Sequence, residues 1–267
     1  MKLTRILLSI IFISGLFCTA MASGGKEVKT IKSNIVSELE SASASGINTI
    51  MVVTEENAKG VDEAVELAES TAALRDNVMV ALVDRNNEEN KTITDKYNLT
   101  RYPAPFVLIL SPAGNVTGGA TPGRISAEQL VKYVPSPCYN QALTARNDRK
   151  PTMIFVSSAS DENTGEWESA MIAAQGQIDP EPAMINVDVA DETEASFLSR
   201  VGYRGEETPL LIVVNPSGQV TGKFSSVPDA GMVKLAANKV NSKGCASKCA
   251  SAKSCSGKEK ASCGDKK

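Results

Sequence analysis

The sequence predicts an α/β protein: two tandem α/β sandwiches followed by a disordered Cys/Lys-rich C-terminal tail. Three observations predict it. Apolar strand patterns alternate with amphipathic helical ones through the body of the chain. One stretch is written twice, as "APFVLILSPAGNVTG" (104–118) and "TPLLIVVNPSGQVTG" (208–222), at a constant separation of 104 residues, as from Pro105 to Pro209. From Ser242 onward the composition changes to Ser, Lys, Ala, Gly and Cys with no large apolar residue, which cannot bury enough surface to order itself.

The N-terminus has the pattern of an export signal. Lys2 and Arg5 precede the apolar run "ILLSIIFISGLF", which is short for a membrane span, and "AMA" (20–22) offers small residues for cleavage near Ala22. The chain is therefore expected to be periplasmic or secreted and not an integral membrane protein, with five cysteines left after cleavage: Cys138, Cys245, Cys249, Cys255 and Cys263. The rival, a lipid anchor on Cys18, is disfavoured because bulky Phe17 precedes it.

The domain plan is a signal peptide (1–22), an N-terminal helical segment (23–47), a first α/β domain (48–134), a linker (135–150), a second α/β domain (151–241) and the tail (242–267). At 267 residues the chain can bury two cores. Within the first copy, strands are expected near 49–54, 78–84, 105–111 and 115–119, with a helix over "VDEAVELAESTAAL" and another opening at Ser126. The 104-residue register sets "TIMVVT" (49–54) against "MIFVSS" (153–158), and Val83-Asp84 against Val187-Asp188. "FVLIL" and "LLIVV" suit strands buried on both faces, and Pro-Ala-Gly and Pro-Ser-Gly suit tight turns. The shared register reads as a tandem duplication.

Composition narrows function. The chain has no histidine, which removes Ser-His-Asp triads, Cys-His pairs and HExxH zinc sites. A net charge of −3 gives no footprint of a nucleic-acid binder.

The order strand, helix, strand ending in Val-Asp, helix, proline-led buried strand, Gly turn and strand resembles the thioredoxin fold. The resemblance implies a cis-proline at the site, here Pro105 and Pro209; Pro103 competes in the first copy, but only Pro209 stands at that place in the second. It also implies a CxxC at the start of the first helix. There this chain reads "TEENAKGVDEA" and "SSASDENTGEWES", without a cysteine. Thiol–disulfide exchange needs a thiolate, so neither domain can carry it out at the usual place, and no enzyme class is indicated. Redox-inactive members of this superfamily serve to bind a protein or peptide or as scaffold, and both readings stand here. The acids Glu55, Glu56, Asp62 and Glu63 are expected as a solvated helix N-terminus, and Trp167 as packing.

The tail carries Cys245, Cys249, Cys255 and Cys263 in a C-x3-C-x5-C-x7-C array among seven lysines. Four thiolates could enclose Zn(II) or Cu(I). Lysine-activated thiols could exchange disulfides, or the tail could be structural or solubilising, with Cys138 as a possible disulfide partner. A polybasic tail could also touch an anionic surface.

Overall fold

The computed structural model describes residues 30–240; the export segment and the four tail cysteines lie outside them. The first sheet runs β1-β3-β2-β4-β5, from β1 (Thr30–Ile31), β2 (Asn48–Thr54), β3 (Val78–Asp84), β4 (Phe106–Leu110) and β5 (Val116–Ala120). β1 and β2 lie parallel to β3, whereas β4 is antiparallel to β2 and to β5. The second sheet runs β7-β6-β8-β9, from β6 (Thr152–Ser157), β7 (Ala183–Asp188), β8 (Leu210–Val214) and β9 (Val220–Phe224), with the same parallel, antiparallel, antiparallel pattern.

Period-2 alternation loads both faces of each sheet. Ile50 and Val52 pack with Ala64 and Ala68 of α2 (Val61–Ala73), and with Leu130 of α4 (Ala127–Leu130). Met51 and Val53 point the other way, toward α1 (Ile35–Ala44) and α3 (Lys91–Tyr97). In the second unit Met153 and Phe155 face α6 (Thr164–Gln175) and α8 (Ala230–Asn238), while Ile154 and Val156 face α7 (Ala195–Arg200). Trp167 is buried against Phe155, with ring centroids 5.8 Å apart.

The repeated Pro-x-Gly…VTG pattern has a structural reason in each unit. Gly114 (φ 76) and Gly218 (φ 82) close the β4–β5 and β8–β9 turns in the left-handed region that L side chains avoid. Gly118 and Gly222 sit where a chain segment presses on the edge strand. A Cβ at Gly118 would lie 2.4 Å from Cβ of Tyr133, and one at Gly222 would lie 2.8 Å from Cβ of Ala236. Both hairpins carry a register shift at the same place, Ile109/Leu110 and Val213/Val214.

Two expectations need correction. Segment 135–150 is not a bare linker: it holds α5 (Pro137–Asn147), capped by Ser136 and started by Pro137, which packs on β7 and β6. Ser-Pro ahead of an apolar pattern is a helix-start signature. The match of 49–54 with 153–158 is one residue off. Thr54 is paired with Asp84 and Ser157 with Asp188, so 49–54 corresponds to 152–157; the loop into the next helix is equally long in both units (55–60 and 158–163), and the extra residue of the second unit falls between the start of that helix and β7. The segment 23–47 also supplies the edge strand β1 as well as α1; two residues are too few to leave a pattern.

The units meet at α5. Asn48 donates from Nδ2 to the Pro135 carbonyl at 3.1 Å, Asn140 donates to Asn48 Oδ1 at 3.2 Å, and Asn147 donates to the Ala113 carbonyl at 3.0 Å.

Candidate functional site

The loop after the first central strand and the segment entering the antiparallel strand meet at one end of each sheet. Val53 pairs with Phe106 and Val156 with Leu210, which sets Ala104-Pro105 and Thr208-Pro209 beside the ends of β2 and β6. Both of these X-Pro bonds are cis, as is Asp179-Pro180. Ala104 and Thr208 lie outside the strand pairings of β4 and β8.

In the first unit this end is held by Arg85, the residue after β3. Its backbone N–H donates to the Thr54 carbonyl at 3.0 Å. Its Nε donates to Glu55 Oε2 at 2.9 Å, and Nη2 pairs with the same carboxylate oxygen. Nη1 donates to the carbonyls of Leu99 at 3.1 Å and Tyr102 at 2.6 Å. One guanidinium, 12% exposed, thereby ties the loop after β2 to the segment leading to Pro105. Tyr102 stands exposed beside it, edge-on to Phe106 at 6.0 Å. Asp62 and Glu63 do occupy the first turn of α2, but Glu55 is an ion-pair partner rather than a solvated terminus.

The second unit uses a carboxylate instead. Asp161 Oδ2 accepts from the Ser158 N–H at 2.7 Å, and Oδ1 accepts from the Thr208 hydroxyl at 2.9 Å. Nearby, Lys223 Nζ donates to Glu206 Oε1 at 2.6 Å. That bond, with a backbone N–H from Arg204, holds the Glu206 carboxyl down at about 2. Nothing in the sequence pattern marked Arg85 or Asp161, because Arg85 reaches Leu99, Tyr102 and Glu55 across 14 to 30 residues and Asp161 reaches Thr208 across 47.

Cys138 belongs to neither of the two loops that meet at these ends. It sits in the first turn of α5, where aligned backbone N–H groups ordinarily lower a thiol pKa. Here burial, together with the Glu194 carboxylate, pushes it up to about 12. The thiol is free and leans on the Asn186 carbonyl at 3.6 Å. Among the described residues no group of three or more Cys, Asp or Glu side chains is arranged to hold a metal, and no helix is long and apolar enough to cross a membrane.

No family model and no curated protein matches the chain. Among solved structures it is similar to thioredoxin f from spinach chloroplast (18% identity, 43% of this chain and 96% of that one, TM-score 0.31). It is also similar to a Thermus thermophilus thioredoxin (21%, 40% and 85%, TM-score 0.31) and to the zinc-bound form of human ERp44 (13%, 80% and 56%, TM-score 0.33). The strand order and directions of each unit, with helices on both faces, are the thioredoxin-like arrangement that the sequence resembles. Similarity of this degree carries nothing about activity, which rests on the residues at the site. Both thioredoxin-like units hold an internally bonded carboxylate there, and neither holds a thiol.

Proposed function

We propose that the protein is an exported, non-catalytic tandem thioredoxin-like binding protein that takes up extended polypeptide at the Pro105 and Pro209 ends of its two sheets. One observation carries this reading: where exchange chemistry would need a nucleophile, Glu55 and Asp161 are both committed to bonds within their own units. Among the described residues no thiol stands there, and neither carboxylate is placed as a free acid or base. Backbone beside such a site, outside the sheet pairing, suits an extended chain adding as a strand. The test is a titration of the full chain with reduced, carboxymethylated lactalbumin, a permanently unfolded polypeptide. Amide resonances of Ala104, Phe106, Thr208 and Leu210 should shift saturably, and a response confined to other surfaces contradicts the reading.

Four cysteines gathered in one tail, Cys245, Cys249, Cys255 and Cys263, support a second reading, soft-metal binding by the tail. Thiolate ligands suit Zn(II) or Cu(I). Native mass spectrometry of the unalkylated protein should give a metal mass increment that disappears on removing 242–267, and the tail thiols should become alkylated once the protein is denatured. Tail disulfides without metal contradict the metal reading and favour an exchange role.

A further inference from the structure

At the end of each sheet opposite the proline site lies a cavity between the first helix, the third helix and the turn of the antiparallel hairpin. The first unit's cavity is about 420 Å³ and the second's about 300 Å³, the latter at the lower limit of ordinary ligand pockets. The two correspond residue by residue, because α1 and α5 end in the same turn. The Ile47 N–H donates to the Ala42 carbonyl at 2.8 Å, and the Lys150 N–H donates to the Ala145 carbonyl at 2.8 Å. Each turn passes through a left-handed residue, Gly46 or Arg149.

The correspondence exposes a charge difference. The first cavity is lined by one acid, Glu40, and one cation, Lys96. In the second, Leu143 stands for Glu40, Arg200 for Lys96, Arg146 for Ser43 and Lys150 for Ile47. Its lining holds three cations and no carboxylate. None of the three makes an ion pair with a carboxylate among the described residues; Arg200 lies over the Tyr139 ring at 5.2 Å. Cations at helix C-termini complement the helix dipole, which accounts for one on each helix but not for the third or for the missing acid. Between them the walls are apolar: Leu143, Ile154, Phe197, Val201 and Val214.

The rim of the first cavity is bridged by Ser43, whose hydroxyl donates to the Pro112 carbonyl at 2.6 Å. In the second unit that place belongs to Arg146, which lies along Gly218, its Cδ 3.3 Å from where a Cβ would stand. The described chain ends nearby, with the Lys239 carbonyl accepting from Asn215 Nδ2 at 2.8 Å. The tail that follows carries seven lysines against Glu259 and Asp265, so its charge has the wrong sign to fill the cavity.

We propose that this second cavity binds an amphipathic carboxylate, with the anionic head held by Arg146, Lys150 and Arg200 and the apolar body laid on Ile154, Phe197 and Val214. Guanidinium groups pair with carboxylates through two parallel hydrogen bonds, and the apolar wall supplies the remainder of the binding. The site is independent of the polypeptide-binding ends.

The test titrates octanoate, and separately octylammonium, into full-length isotope-labelled protein. Octanoate should move the amides of 142–146, 197–201 and 214–218 saturably and bind at least roughly tenfold tighter than octylammonium. The R146Q/R200Q variant should weaken octanoate by about tenfold or more while keeping the wild-type unfolding temperature, and added salt should weaken it in the wild type. The proposal is overturned if octanoate gives no saturable shift, if octylammonium binds equally well, or if the first unit's cavity responds as strongly.

Discussion

Glu194 lies under the start of α5 and accepts the Cys138 backbone N–H at 2.9 Å while also bonding the Ser136 hydroxyl. A 2%-exposed carboxylate thus occupies the positive end of the helix that would otherwise favour the Cys138 thiolate. Thiol and carboxylate compete for one electrostatic site, and the carboxylate holds it.

With its pKa pushed up to about 12, Cys138 should react with iodoacetamide at pH 8 on the order of a hundredfold or more slower than an unstructured cysteine. Glu194→Gln removes the like charge but leaves the burial, the larger cause, so reactivity should rise about tenfold without reaching the unstructured rate. The raised pKa also has a stability consequence. The protonated thiol stabilises the fold fully below the unfolded thiol pKa of about 8.5, and this contribution is lost as pH rises toward 12. Cys138→Ser should therefore lose less stability than wild type between those limits in alkaline denaturation.

Arg85→Met leaves the Leu99 and Tyr102 carbonyls and the Glu55 carboxylate without their donor. The expected cost is about 2–3 kcal/mol, read as a lower urea midpoint for the first unit. Glu55→Gln, which keeps an acceptor, should cost less. Equal effects would mean that the ion pair, not the bridge to the carbonyls, holds the loop.

Gly222→Ala places a methyl 2.8 Å from Cβ of Ala236, and Gly118→Ala places one 2.4 Å from Cβ of Tyr133. Each should destabilise by about 1–3 kcal/mol through overpacking. Gly165→Ala, in the first turn of α6 with nothing within 4 Å, should instead stabilise by up to about 1 kcal/mol. Calorimetry on the three variants distinguishes packing from a general intolerance of alanine.

Much of this fold was legible because its strands announce themselves. "FVLIL" and "LLIVV" are buried runs bounded by Pro and Gly, and the doubled Pro-x-Gly…VTG pattern marks both hairpins. The helix from Pro137 was less legible because its polar residues, among them half-buried Asn140 and exposed Gln141 and Asn147, blur the apolar stripe, although Ser136-Pro137 signalled its start. The one-residue offset of β6 was hidden because two neighbouring alignments of apolar residues score alike, and only pairing with β7 and β8 decides between them. At the site, the absence of a thiol could be read directly. The bonds of Glu55 with Arg85 and of Asp161 with Thr208 could not, since they join residues 30 and 47 positions apart.

The two folded units should be silent in thiol exchange. The direct measurement is turnover of a protein disulfide, with insulin as substrate and dithiothreitol as reductant, by the full chain carrying Ser at 245, 249, 255 and 263. The expected rate is no higher than that of dithiothreitol alone, whatever the tail of the wild-type chain does. A retained catalytic rate, abolished by Cys138→Ser, would contradict it and place the chemistry at α5.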